Sequence, residues 1–465
     1  MIQIEQVSFG YTDKENTLTN IDIAVRRGEC ILLCGESGCG KTTVTKLING
    51  LIPHFTTESP TEGTVKAAGL EIAKTELYEL AKYIGSVFQN PKSQFFNMDT
   101  DSELAFGLEN EGIPPEEIEK RMEATVSNLG IEKLLHRNIF SLSGGEKQTV
   151  AFASVYAMNP DIYVLDEPTA NLDRQGIERL REQIGILKTQ GKTVVIAEHR
   201  LYFLKGLIDR AIYFKRGRIL EQFTGEEFWK LSEEKRKEMG LRALNETRVE
   251  LLPARSGEEN AGLVVRGLSC GYKKKEPVLN KLSFQVVPGE VLAITGDNGA
   301  GKTTLMRCLC GILKECEGEI LLDGKKLKAK ERQNESFLVM QDVNHQLFYD
   351  SVWNECEQAV GTDDTGMVDE ARITDALEEF DLLRLKERHP MSLSGGQKQR
   401  LAVVTALLSK KRVLIFDEPT SGLDFGQMQR VKNVIRSLAE KGHIIMVVSH
   451  DREFMKDACD RVIEI

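Results

Sequence analysis

Long apolar runs are missing from this sequence of 465 residues. A helix that crosses a bilayer needs about 20 mostly apolar residues. The best stretch, 401–408, is short and sits between Arg400 and Lys410. Residues 1–10 show no basic region followed by an apolar core, so no secretion signal is read there. Basic charge is not in excess either. The formal net charge is −10, which argues against general nucleic-acid binding, where a basic stripe is the usual footprint. Paired CxxC spacings are also absent. The cysteines (Cys30, Cys34, Cys39, Cys270, Cys308, Cys310, Cys316, Cys356 and Cys459) are therefore expected to be reduced, small buried apolar residues rather than metal ligands. What remains is ordinary globular composition, 41% hydrophobic, in a cytoplasmic chain long enough for two or three domains.

The chain repeats itself. Tyr11 recurs as Tyr272 and Lys41 as Lys302, both 261 positions on. Ser143 recurs as Ser394, Glu167 as Glu418 and His199 as His450, each 251 positions on. Gly50 to Gly63 spans 13 positions, but Gly311 to Gly318 spans only 7, so the first copy carries an extra loop around 53–61. Units this long are duplicated domains and not short solenoid repeats. The expected division is a first domain over 1–225, a linker over 226–262 and a second domain over 263–465. The linker reading rests on its charge and on Pro253, Gly257 and Gly262, with 226–244 able to form helix.

Both copies read as α/β. The apolar runs 30–34, 162–165 and 194–197, then 291–295, 413–416 and 444–448, suit parallel strands buried on both faces. Alternation at Ile21, Ile23 and Val25, and at Leu282, Phe284 and Val286, predicts an antiparallel edge near the start of each copy.

Two glycine-rich stretches follow the first of these runs. GESGCGKTT occupies 35–43 and GDNGAGKTT occupies 296–304. Gly35, Gly38 and Gly40, with Gly296, Gly299 and Gly301, let backbone N–H groups turn inward around phosphates, and the helix that follows adds a favourable dipole. Lys41 and Lys302 would neutralise phosphate charge. Thr42, Thr43, Thr303 and Thr304 open the helix, and the Thr42 and Thr303 hydroxyls suit Mg²⁺. One such match can arise by chance, but two in register within a repeat do not. A second apolar strand in each copy ends in paired carboxylates, in IYVLDEPT at 162–169 and VLIFDEPT at 413–420. Asp166 or Asp417 can hold Mg²⁺ through water. Glu167 or Glu418 can polarise the water that attacks a γ-phosphate.

With LSGGEKQ beginning at Leu142 and LSGGQKQR beginning at Leu393, the sequence resembles the ATP-binding-cassette family over nearly its whole length. The resemblance implies two phosphate-loop cassettes. Each has a mainly parallel sheet, an antiparallel β edge and a helical signature subdomain, and each binds ATP and Mg²⁺. It implies that Ser143, Gly144 and Gly145, and Ser394, Gly395 and Gly396, open helices whose amides reach the γ-phosphate of an opposing cassette. The cassettes would pair head to tail, within one chain or between two. It further implies that Gln89 and Gln341 sense Mg²⁺, that His199 and His450 are the switch histidines beside the catalytic glutamates, and that Asp173 and Asp424 lie in the loop bridging the sites. Tyr11 and Tyr272 would stack on adenine. Thr149 stands where the second copy has Arg400.

Within the family, FQNPKSQFF at 88–96, MQDVNHQLF at 340–348 and NGLIPHF at 49–55 resemble the ATPases of energy-coupling-factor importers. That implies an ATPase peripheral at the cytoplasmic face of the membrane. Its partners would be a transmembrane scaffold and a small substrate-binding membrane protein, and its cargo a vitamin, a vitamin precursor or a metal ion. Gln94, Phe95 and Phe96, and Gln346, Leu347 and Phe348, would line the docking grooves. The alternative is a tandem cassette ATPase acting on ribosomes or nucleic acid.

Overall fold

The computed structural model describes residues 1–11, 17–56, 61–170, 172–249, 261–272, 277–314, 317–361 and 367–465. These form two compact units, Met1–Glu246 with Asp424–Gly426, and Thr247–Leu423 with Gln427–Ile465.

In the first unit the period-two pattern does what the pleat requires. The strand Leu18–Val25 buries Leu18, Ile21, Ile23 and Val25 and exposes Asp22 and Ala24. It pairs antiparallel with Ile2–Phe9, Ile4 lying opposite Ile23. The strand Glu62–Ala67 covers the other edge of Ile2–Phe9, and Leu70–Glu71 completes a four-stranded sheet. The apolar runs build a second sheet, in the order Arg218–Thr224, Arg210–Lys215, Cys30–Gly35, Thr193–Ala197, Ile162–Asp166 and Ile84–Val87. All neighbours in it are parallel except the closing hairpin of Arg210–Lys215 with Arg218–Thr224. Cys30–Gly35 and Thr193–Ala197 are buried at every position, because packing on both faces leaves no side of the sheet for polar residues. A helical layer made by Thr100–Asn110, Pro115–Leu129 and Gly144–Met158 closes on its own core of Leu104, Val126, Ile131, Leu134, Val150 and Ala153.

The second unit repeats this plan. Leu263–Cys270 pairs antiparallel with Leu279–Val286 and Glu317–Leu322. The central sheet runs Ser336–Val339, Val413–Asp417, Ile444–Val448, Val291–Thr295 and Arg461–Glu464, all parallel. Its signature helix is Gly395–Leu408. Each unit is thus α/β, with a mainly parallel sheet, an antiparallel edge and a helical layer.

Residues 226–246, inside the stretch the charge pattern marks as a connection, are folded onto the first unit. The helices Gly225–Trp229 and Glu233–Glu238 bring Phe228, Met239, Leu241 and Leu244 into the apolar cluster around Cys30 and Leu204. Thr224 opens the first of them with a reciprocal capping box to Glu227, which satisfies backbone donors at the helix start. Pro253 and Gly257 lie outside the described residues, as do 57–60 of the first copy's extra loop and Cys316. The other eight cysteines are free thiols, all buried except Cys459, which is partly so. Among the described residues no helix is long and apolar enough to cross a membrane.

Candidate active site

Each glycine-rich stretch links a buried strand to a helix, the first strand buried throughout and the second at all but Thr295. Cys30–Gly35 leads into Lys41–Ile48, and Val291–Thr295 leads toward Lys302–Leu309. The loop between is possible only because its glycines adopt positive φ. The angles are 143°, 76° and 106° at Gly35, Gly38 and Gly40, and 150°, 89° and 105° at Gly296, Gly299 and Gly301. Gly40 is also crowded, since a Cβ there would meet Leu18 Cδ2 at 2.4 Å and the buried leucine would have to shift. Lys41 Nζ donates to the carbonyls of Gly35 and Glu36, both at 3.0 Å. Lys302 Nζ does the same to Gly296, at 2.6 Å, and Asp297, at 3.0 Å. The ammonium therefore spans the loop whose phosphate it would neutralise. Thr43 and Thr304 are buried in the first helical turn.

The acidic pair arrives on the strand end. Thr42 Oγ1 donates to Asp166 Oδ1 at 3.1 Å, which places a hydroxyl and a carboxylate together. Such hard oxygen donors are what Mg²⁺ takes. Burial, reinforced by the neighbouring charge of Glu167, pushes Asp166 up to about 6. Burial likewise pushes Asp417 up to about 6. A cation would relieve both, so the residues fit the ion. Glu167 and Glu418 take φ of 45° and 46°, in the left-handed region that costs a non-glycine residue about 1–2 kcal/mol. Their backbone N–H groups are tied to Ala197 O and Val448 O, each at 2.8 Å. This strained turn aims the carboxylate out of the sheet. Gln89 Nε2 donates to Glu167 Oε2 at 2.8 Å, and the buried His199 brings Nε2 to 3.4 Å from Glu167 Oε1. Burial acts against the charged form of Glu167, but the His199 hydrogen bond and charge, with Lys41, hold it below the usual range. In the second unit His450 Nε2 is 3.7 Å from Glu418 Oε1, and Gln341 is exposed.

Ser143 and Ser394 cap the signature helices through reciprocal capping boxes with Glu146 and Gln397. Gly144 and Gly395 are exposed and Gly145 is buried, with Gly396 between these extremes. The helix N-termini are thereby held rigid with open amides. Thr149 is buried and returns its hydroxyl to Gly145 O at 3.0 Å, so no cation replaces Arg400 there. Asp173 caps the helix Arg174–Thr189, accepting from Gly176 N at 2.8 Å, and Asp424 is buried. Tyr11 is 44% exposed and stands edge-on to Phe9, with Lys46 Nζ 5.7 Å from its ring. Tyr272 is 61% exposed and accepts from Arg307 at 3.0 Å. Both rings offer a face.

The proposed docking residues divide. Phe96 and Phe348 are 76% and 77% exposed. Leu347 is buried and cannot line a groove. Phe95 packs partly onto the helical layer's core. Gln94 and Gln346 fold back instead of facing outward. Gln94 accepts from Phe88 N and donates to Ser86 O, and Gln346 accepts from Met340 N and donates to Leu338 O. They pin the loop that carries the phenylalanine. A carboxylate that the motif reading passed over is Glu198. It is buried and accepts four hydrogen bonds beside His199.

Comparison with known proteins gives the family. The family model described as ABC transporter matches residues 18–170 and 279–421. A Treponema denticola chain described as an ABC transporter ATP-binding protein is 48% identical, covering 100% of this chain and 95% of its own length. A second from the same organism, with the same description, is 38% identical over 100% and 94%. A solved structure named RNase-L Inhibitor has a TM-score of 0.65, with 22% identity, over 99% of this chain and 87% of that one, a likeness of fold. With a cassette matched in each half and full-length relatives so described, the chain belongs to the ABC transporter family, as an ATPase with two ATP-binding cassettes in tandem.

Proposed function

We propose that this ATPase is the motor subunit of an importer of energy-coupling-factor type. It binds MgATP at two sites and drives a transmembrane scaffold that takes up a vitamin, a vitamin precursor or a metal ion with a small substrate-binding membrane protein. The observation that carries the transport reading is the pair of exposed phenylalanines, Phe96 and Phe348. Each sits at the end of a loop pinned, through Gln94 or Gln346, to the strand that precedes Gln89 or Gln341. An exposed aromatic on a rigid support suits a helix-in-groove contact.

The chemistry follows from the chain's own groups. The phosphate loop and Lys41 or Lys302 bind the triphosphate and hold the γ-phosphate in one position. Thr42 and Asp166, or Thr303 and Asp417, would hold Mg²⁺, with Gln89 or Gln341 beside it. When bound, the ion neutralises charge on the β- and γ-oxygens. Glu167 or Glu418 orients and polarises the attacking water, the low pKa of Glu167 keeping it ionised as the acceptor. His199 and His450 stand where charge builds on the transferred group. Tyr11 and Tyr272 take the base. Ser143, Gly144 and Gly145, and Ser394, Gly395 and Gly396, close on the nucleotide of an opposing cassette, in the same chain or a second copy.

The test is capture of the scaffold from detergent-solubilised membranes by the tagged chain, compared with a Phe96→Asp and Phe348→Asp double variant. The variant is expected to lose the membrane proteins yet stay folded and bind ATP, because both rings are largely in solvent. Capture of ribosomes in their place, or unchanged capture by the variant, would refute the reading.

A further inference from the structure

The two units hold their switch histidines by different means. In the second, the sequence around the histidine is Ser449-His450-Asp451. Asp451 Oδ2 accepts from Thr420 Oγ1 at 2.8 Å, its Oδ1 accepts from Phe454 N at 3.1 Å, and the Ser449 hydroxyl reaches Glu418 Oε2 at 3.3 Å. The carboxylate after the histidine thus ties that loop to the turn beyond Glu418. In the first unit the same positions read Glu198-His199-Arg200. No carboxylate follows the histidine and no hydroxyl precedes it.

Glu198 fills the gap from the other side. It is 3% exposed. Its Oε2 accepts from Thr169 Oγ1 at 2.7 Å and Thr169 N at 3.2 Å, and Thr169 is the register mate of Thr420. Its Oε1 accepts from His199 N at 2.7 Å and Arg200 N at 2.9 Å. One carboxylate therefore joins the turn that carries Glu167 to the backbone that carries His199. The longer side chain makes up for starting two residues earlier. We propose that Glu198 is the positioning residue of the first site, setting the spacing of His199 from Glu167 from before the histidine as Asp451 ties the second loop from after it. This rests on the ATPase assignment of Glu167 and His199 made above.

The hydrogen bonds explain why the group must be a carboxylate. Both oxygens face backbone N–H groups, which can only donate. A glutamine would turn its NH₂ against Thr169 N in one orientation, or against His199 N and Arg200 N in the other. Buried donors would then be left without an acceptor.

The experiment measures steady-state ATP hydrolysis and thermal melting of the full chain with Glu418→Gln in every sample, the wild-type reference included, so that turnover reports the first site alone. Glu198→Gln is expected to lower kcat by about tenfold to a hundredfold, the scale of an ångström-level misplacement, with KM changed by less than about twofold. Glu198→Asp, which keeps the charge one methylene short, should retain more turnover than Glu198→Gln. The double exchange Glu198→Ser with Arg200→Asp rebuilds the second unit's arrangement and should restore most of kcat. A purely structural role would predict loss in proportion to melting temperature and no rescue by the exchange. Wild-type kcat in Glu198→Gln, a reversed order of Asp and Gln, or a folded exchange variant without rescue would each overturn the proposal. Glu167→Gln in the same assay separates the two claims. If it abolishes turnover while Glu198→Gln does not, only the positioning role fails; if it leaves turnover intact, the ATPase assignment fails first.

Discussion

Replacing Asp166 with asparagine should make the nucleotide-free chain more stable at pH 8. Burial and the adjacent Glu167 raise this carboxyl from an ordinary 3.8 to about 6. The folded state therefore binds a proton more tightly than the unfolded one. Stability is fully present below about pH 4 and is lost as pH rises through about 6. At about 1.4 kcal/mol for each pKa unit, the penalty at pH 8 has a ceiling of about 3 kcal/mol, and partial solvent access brings it to roughly 1–3 kcal/mol. Asparagine keeps Oδ1 as acceptor for the Thr42 hydroxyl, now 3.1 Å away, and removes the charge. Urea unfolding without nucleotide or Mg²⁺ should show roughly twice the gain at pH 8 that it shows at pH 5. MgATP should stabilise the wild type more than the variant, because the variant lacks an anionic ligand for the ion. Equal shifts at both pH values, or a loss at pH 8, would refute the argument that Asp166 is kept for chemistry at the expense of stability.

Two further outcomes follow from packing. Phe228→Ala removes a fully buried ring from the first unit's core and should cost about 3–5 kcal/mol, read as a lower unfolding midpoint; a loss under about 1 kcal/mol would show that 226–246 is a loose connection. Gly40→Ala places a Cβ 2.4 Å from Leu18 Cδ2 at a φ of 106°. ATP binding at the first site should weaken by roughly fivefold to thirtyfold, from a strain of about 1–2 kcal/mol, as measured by nucleotide titration; unchanged affinity would contradict the loop geometry.

The phosphate loops were legible in the sequence because their chemistry is local. Glycines at fixed spacing, a lysine and a helix start specify one backbone path, and Gly40 shows how little freedom is left. The parallel strands were legible for a related reason, since Thr193–Ala197 has no polar face to hide the run. The segment 226–246 was harder. Its four core residues, Phe228, Met239, Leu241 and Leu244, are scattered among Glu, Lys and Arg, and only tertiary contact makes a core of them. Leu347 and Gln94 misled because proximity to an exposed aromatic says nothing of which way a side chain turns. Glu198 was missed since its distant partner, Thr169, is brought to it only by folding. Its trace in the sequence was a broken repeat, Glu198 against Ser449 and Arg200 against Asp451.

The central claim is that both carboxylates beside the nucleotide are the water-activating groups. Its most direct test is ATP turnover by the purified chain carrying Glu167→Gln and Glu418→Gln together. The amide preserves shape but cannot polarise water as a carboxylate does. Hydrolysis should vanish while ATP still binds, with a measured nucleotide affinity close to that of the wild type. Turnover near the wild-type rate in a folded double variant would contradict it.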